Sequence, residues 1–176
     1  MAEKIRELLS EEEVARRVQE LADQINGDYD GRELTVVGIL KGAVFFTCEL
    51  AKRLTMPVTM DFMAVSSYGS GTESSGSVKI IKDLDLPIEG RDVLIVEDII
   101  DSGYTLSYLK SFLEKREPKS IRLCTLLNKP ERRVKKEVAV DYEGFCIPDQ
   151  FVVGCGLDYD QKYRNLPYIG IVEFER

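Results

Sequence analysis

Residues 93–105 read VLIVEDIIDSGYT, and this stretch decides how the rest of the chain is read. Val93, Leu94, Ile95 and Val96 make a short apolar, β-branched run of the kind that forms a buried strand. The run meets Glu97 and Asp98, then two isoleucines, then the small polar turn Asp101-Ser102-Gly103-Tyr104-Thr105. The pattern predicts a strand over 93–96 that ends in an acidic pair, a tight turn, and a helix over 105–115. Small residues in such a turn let successive backbone N–H groups face an anion, helped by the helix N-terminus and the hydroxyls of Ser102 and Thr105. A plainer reading makes Asp101 or Ser102 the cap of that helix. Glu97 and Asp98 are poorly placed for capping; adjacent carboxylates at a strand end suit the vicinal hydroxyls of a sugar, or magnesium. The turn has neither the GxxxxGK[ST] spacing of a nucleoside-triphosphate loop nor the GxGxxG of a dinucleotide site.

Working outward, helical and strand patterns alternate. Ser10 and Glu13 form a capping box ahead of Val14, Val18, Leu21 and Ile25, which predicts a helix over 10–24. Strands are expected over 34–40, 57–65, 78–81, 93–96, 121–127, 138–142, 151–153 and 168–172, with helices over 43–54 and 105–115. Residues 66–77, SSYGSGTESSGS, are Ser/Gly-rich and predict a mobile loop. Within the basic stretch 129–136, residues 131–136 read as a solvated turn. Alternation of this kind indicates an α/β domain with a largely parallel sheet. Ligands of such sheets bind beyond the carboxyl ends of the strands, where Lys41-Gly42 and residues 97–105 fall.

Composition narrows the chemistry. The 176 residues contain no histidine, which excludes a Ser-His-Asp triad, a Cys-His dyad and any His-ligated metal. Proton transfer would fall to Asp, Glu, Lys, Tyr or Cys, and a metal would be a hard, oxygen-ligated ion. Four cysteines without a CxxC pair read as buried free thiols. A net charge of −7 argues against a duplex nucleic-acid binder. No apolar run approaches the roughly 20 residues that span a bilayer. The acidic, amphipathic N-terminal stretch lacks the apolar core of a secretory signal, so the expected compartment is the cytoplasm.

VLIVEDIIDSGYT resembles the phosphoribosyl-pyrophosphate signature of type I phosphoribosyltransferases. LKGAVFF (40–46), SSYGSGT in the loop, LLNKPERR (126–133) and PDQFVVGCGLDYDQKYRNLPYIG (148–170) resemble the bacterial hypoxanthine-guanine branch. The resemblance implies a type I phosphoribosyltransferase fold: a central, mostly parallel sheet flanked by helices, with a small hood. One domain over 1–176 is expected, with its core at about 30–130. The hood would come from the N-terminal helix and the segment from about 138 to 176. The implied reaction joins a 6-oxopurine to 5-phospho-α-D-ribose 1-diphosphate, with magnesium as cofactor.

Roles implied by the resemblance follow. Glu97 and Asp98 would hold the ribose hydroxyls, directly or through magnesium. Asp101, Ser102, Gly103, Tyr104 and Thr105 would cradle the 5′-phosphate, and Asp101 would be the general base at purine N7, a role open to a carboxylate in a chain without histidine. Lys129 would donate to the purine O6, Phe151 would stack on the ring, and Val152 would meet its Watson–Crick edge. Asp158, placed with the purine residues, would also bind a second magnesium. Lys41, Gly42 and Arg164 would hold the diphosphate, and the Lys41-Gly42 peptide would be cis. Ser67 and Tyr68 would belong to a lid. The side-chain role of Tyr104 is left open. A homodimer or homotetramer is expected, with no nucleic-acid or membrane partner. The competing class is a regulatory protein of the same fold that senses nucleotide or phosphoribosyl pyrophosphate.

Overall fold

The computed structural model describes residues 2–67 and 78–175. Helix α1 (Glu11–Asp28) begins where the sequence places it: Ser10 Oγ accepts from the Glu13 amide at 3.1 Å, and Glu13 returns the contact to the Ser10 amide at 2.7 Å. Its apolar stripe Val14, Val18, Leu21, Ala22 and Ile25 is buried. The stripe shares one core with Leu34, Val36, Leu94 and Val96 of the central sheet.

That sheet has six strands: β2 (Leu34–Leu40), β3 (Val58–Ser67), β4 (Val78–Lys82), β5 (Asp92–Ile100), β6 (Ser120–Asn128) and β7 (Tyr142–Cys146), ordered β4-β3-β2-β5-β6-β7. All neighbours pair in parallel except β3 with β4. β2 and β5 lie at its centre and are apolar through most of their length, as expected for strands covered on both faces. Helices α2 (Val44–Ala51) and α3 (Tyr104–Glu114) complete the main body. A second core joins Val37, Ile95, Leu109, Leu113 and Leu123.

The main differences from the sequence reading have a common cause. β5 does not stop at Val96. It continues through Glu97 and Asp98 to Ile100, because β6 supplies partners as far as Ile100↔Asn128. The last parallel strand is Tyr142–Cys146, not 138–142. Residues 3–9 form a strand, β1 (Glu3–Leu9), which the charge-rich sequence EKIRELL conceals. It is specified by its antiparallel partner β9 (Ile169–Phe174), which also pairs β8 (Val152–Val153). β1, β9 and β8 make a separate three-stranded sheet. The N-terminal contribution to this small sheet is therefore a strand, while α1 packs with the main one.

Ser66 and Ser67, assigned to the loop from sequence, belong to β3. The rest of that loop, Tyr68 included, lies outside the described residues. All four cysteines are free, but only Cys124 is buried; Cys146 is exposed, at the end of β7. No helix among the described residues is long and apolar enough to cross a membrane.

Candidate active site

The carboxyl ends of β2, β5 and β6 bring the sequence candidates to one edge of the sheet. Glu97 is buried at the end of β5 and Asp98 is partly enclosed beside it. Burial drives the Glu97 carboxyl well above the usual carboxylate range, and the Asp98 charge adds to the effect. Asp98 is pushed up to about 6, again chiefly by burial; hydrogen bonds from the Ile99 amide and its own amide, and the charge of Arg164, pull the other way. The Asp158 carboxylate adds repulsion to Asp98. Gly42 lies so close that a Cβ there would collide with the Asp98 carboxylate. Glycine is required at 42 by close approach.

After Ile100 the chain turns through Asp101, Ser102 and Gly103. Gly103 has φ 89°, a left-handed value that favours glycine, and it is the N-cap of α3 with no side-chain cap. Neither Asp101 nor Ser102 caps the helix, so its first amides are left for another acceptor. The loop is braced by residues 131–136, a largely exposed turn as the sequence suggests, which nonetheless packs its backbone against the loop. The amides of Val134 and Lys135 donate to the Ser102 carbonyl at 2.9 and 3.0 Å. Arg133 donates to the Asp101 carbonyl at 3.2 Å and to Asn128 Oδ1. The Lys135 ammonium lies 5.6 Å from the Tyr104 ring centroid, a cation–π contact that gives the Tyr104 side chain a place.

Lys129 follows β6 and begins a 3-10 turn, Pro130–Arg132. It is 7% exposed, unlike a surface lysine, and its Nζ stands 3.6 Å from Asp149 Oδ1. Arg132, on the same turn, pairs its Nε with Asp101 Oδ1 at 2.6 Å and its Nη1 with Asp149 Oδ2 at 3.5 Å. Phe151 is 53% exposed and meets Tyr159 edge-on at 5.7 Å, so its ring is not core, whereas Val152 is buried in β8.

On the opposite side, Arg164 Nη1 donates to the Gly156 carbonyl at 2.7 Å and Nη2 to Gln161 Oε1 at 3.1 Å, with Asp158 Oδ1 3.4 Å from Nη2. Arg164 Nε is buried without a partner among the described residues. Lys41 Nζ reaches the same Gln161 oxygen at 3.4 Å. The cis peptide lies between Leu40 and Lys41, one bond earlier than expected. Lys162 and Tyr163 both donate to Glu3 Oε1, at 2.7 and 2.9 Å, tying this loop to β1.

Residues 4–160 match the phosphoribosyl transferase domain family. The hypoxanthine-guanine phosphoribosyltransferase of Bacillus subtilis is 53% identical over 94% of this chain and 92% of its own. The chain belongs to the phosphoribosyltransferase family, in its hypoxanthine-guanine branch. A solved hypoxanthine-guanine phosphoribosyltransferase from Bacillus anthracis superposes with a TM-score of 0.92 at 48% identity, covering 97% of this chain and 100% of that one. The bifunctional TilS/HprT protein of Listeria monocytogenes is 55% identical over 96% of this chain, which spans 26% of that protein's length.

Within this phosphoribosyltransferase, several residues at the site escape a reading of the sequence alone. Gln161 accepts from both Lys41 and Arg164, and Asp149 and Arg132 lie between Lys129 and Asp101. Arg133 holds the turn after β5 through the Asp101 carbonyl. The signal for Arg132 and Arg133 was their adjacency to Lys129 in LLNKPERR. Gln161 and Asp149 carried no signal of type or spacing.

Proposed function

We propose that the chain transfers the 5-phosphoribosyl group of 5-phospho-α-D-ribose 1-diphosphate to N9 of hypoxanthine or guanine, giving IMP or GMP and diphosphate. The observation that supports this best is the convergence of three features on one sheet edge: an enclosed acidic pair, an uncapped helix N-terminus, and a buried lysine. In the reaction the bond from C1′ to the diphosphate oxygen breaks and the bond from C1′ to N9 forms. The α3 N-terminus and the loop 101–105 hold the 5′-phosphate through backbone amides. Glu97 and Asp98 hold the ribose hydroxyls, and their negative charge favours the cationic sugar that develops as the diphosphate leaves. Asp101 takes the proton from purine N7.

Lys129 donates to O6; a 6-amino purine would set an N–H group against that donor, so adenine is rejected. The half-exposed Phe151 stacks on the purine, and the Val152 backbone meets its edge. Lys41, Gly42 and Arg164 receive the diphosphate, with the orphaned Arg164 Nε available to an anionic oxygen. Magnesium fits the donor set: Glu97, Asp98 and Asp158 are hard oxygen ligands, and Asp158 lies close enough to perturb Asp98. No three such groups cage an ion among the described residues, which suits a magnesium held by one or two carboxylates together with substrate oxygens. When bound, it neutralises charge on the diphosphate and orients the ribose. The chain acts as a homodimer or homotetramer, a reading supported by the exposed Phe45 on α2, and the proposed compartment is the cytoplasm.

The test is nucleotide formation by the purified chain with phosphoribosyl pyrophosphate, magnesium, and hypoxanthine, guanine, xanthine or adenine in turn. IMP and GMP are expected and AMP is not. Failure to form either IMP or GMP overturns the proposal.

A further inference from the structure

Two residues given no substrate contact above, Arg132 and Asp149, join the candidate base to the purine lysine. Lys129 Nζ is 3.6 Å from Asp149 Oδ1, Asp149 Oδ2 is 3.5 Å from Arg132 Nη1, and Arg132 Nε is 2.6 Å from Asp101 Oδ1. The four charges alternate in sign along this path and sum to zero. Three separate connections at the sheet edge contribute: the β5–α3 turn carries Asp101, the 3-10 turn after β6 carries Lys129 and Arg132, and the segment after β7 carries Asp149.

The contacts differ in character. The Arg132–Asp101 pair is close in distance but misaligned for a hydrogen bond, since Asp101 Oδ1 has no hydrogen-bond partner among the described residues. The Lys129–Asp149 pair lies outside hydrogen-bond reach, leaving ammonium protons for another oxygen. Lys129 is buried, whereas the Arg132 and Asp149 side chains are 51% and 46% exposed and have room to move. Arg132 is held charged first by Asp101 and then by Asp149. The guanidinium therefore has two competing anions, and whichever way it leans decides whether Asp101 is free.

We propose that Arg132 and Asp149 are positioning residues that couple purine capture at Lys129 to release of Asp101 by Arg132. This inference rests on the purine reading above. An incoming O6 takes a donor from Lys129 and loosens that lysine's claim on Asp149. Asp149 then draws Arg132 toward itself, and the Asp101 carboxylate is left open for the purine N–H. No bond is made or broken in this exchange; three ion pairs become one ion pair, a hydrogen bond to the ligand and a free carboxylate. The arrangement confines an unmasked base to the purine-bound state.

Steady-state kinetics on the full chain test it with Asp149→Asn and the double variant Arg132→Gln/Asp149→Asn. Without its second anion, Arg132 stays on Asp101 in Asp149→Asn, so kcat falls by about tenfold or more while KM for phosphoribosyl pyrophosphate stays within about twofold. Removing the guanidinium in the double variant lifts the mask, and kcat rises again by about tenfold over the single variant. A merely structural role predicts the reverse, a double variant no faster than the single one. Both side chains are half-exposed, and a melting curve for each variant checks the fold. An unchanged kcat in Asp149→Asn, or no recovery in the double variant, overturns the coupling. A parent chain that forms no nucleotide from hypoxanthine or guanine overturns the purine reading instead.

Discussion

Two carboxylate groups lie on one short stretch of chain and live in opposite surroundings. Glu97 and Asp98 are enclosed with no side-chain cation paired to either among the described residues, and both are pushed up in pKa by burial. Asp101, three residues on, has a half-exposed side chain and is matched by Arg132 at 2.6 Å. An anion enclosed without a partner is costly, and it stays in place where a ligand supplies the missing charge or hydrogen bonds. A paired anion must instead be freed before it can act. The first pair is arranged to receive something; the third acid is arranged to be released.

The largest effect that follows concerns Asp101. If it removes the N7 proton, Asp101→Ala lowers kcat by about 10²–10⁴-fold. Substrate affinity, read from KM for phosphoribosyl pyrophosphate, changes far less, because on the proposed reading the backbone amides of the turn, not this side chain, hold the phosphate. Steady-state kinetics check this, and a variant with unchanged kcat removes Asp101 from the chemistry and erases the contrast between the two groups of acids.

Gly42 tests the enclosed pair from the other side. A methyl group at 42 would strike the Asp98 carboxylate, so Gly42→Ala forces Asp98 or the β2–α2 turn to move. Overpacking of this kind costs about 1–3 kcal/mol. The expected result is a lower midpoint in denaturant melts together with a raised KM for phosphoribosyl pyrophosphate. A variant that is destabilised but binds normally would mean that the position of Asp98 does not matter to the ligand.

How much of this could be read from the chain depends on where each partner lies in sequence. Local signals carried far: the Ser10–Glu13 capping box, the apolar run of β2 and the turn 101–105 are each specified by neighbours a few residues away. β1 was hidden because EKIRELL becomes a strand only through β9, some 160 residues later. β5 outran its apolar segment for the same reason, since β6 offers a ladder to residues whose side chains suggest an end. In the site, residue type exposed the acids and the family resemblance exposed Lys129. Asp149 and Gln161 are ordinary polar residues until folding sets them against Lys129 and Arg164.

The smallest effect probes the enclosed pair through its protons. The carboxyl of Asp98 ionises at about 6 in the folded chain, against 3.8 for an unperturbed aspartate. A raised folded value means that the folded state holds the proton more tightly than the unfolded one. The resulting contribution to stability is complete below about 3.8 and is lost as pH rises through about 6. Asp98→Asn has no such proton to lose, and it also lifts the repulsion that Asp98 places on Glu97. The melting temperature of the variant minus that of the parent should therefore rise between about pH 4 and pH 7 and level off above, measured without ligand or divalent cation. A difference that stays flat for Asp98→Asn would mean that the site already shields its acids in the absence of any ligand, and the two groups of carboxylates would then differ only in exposure.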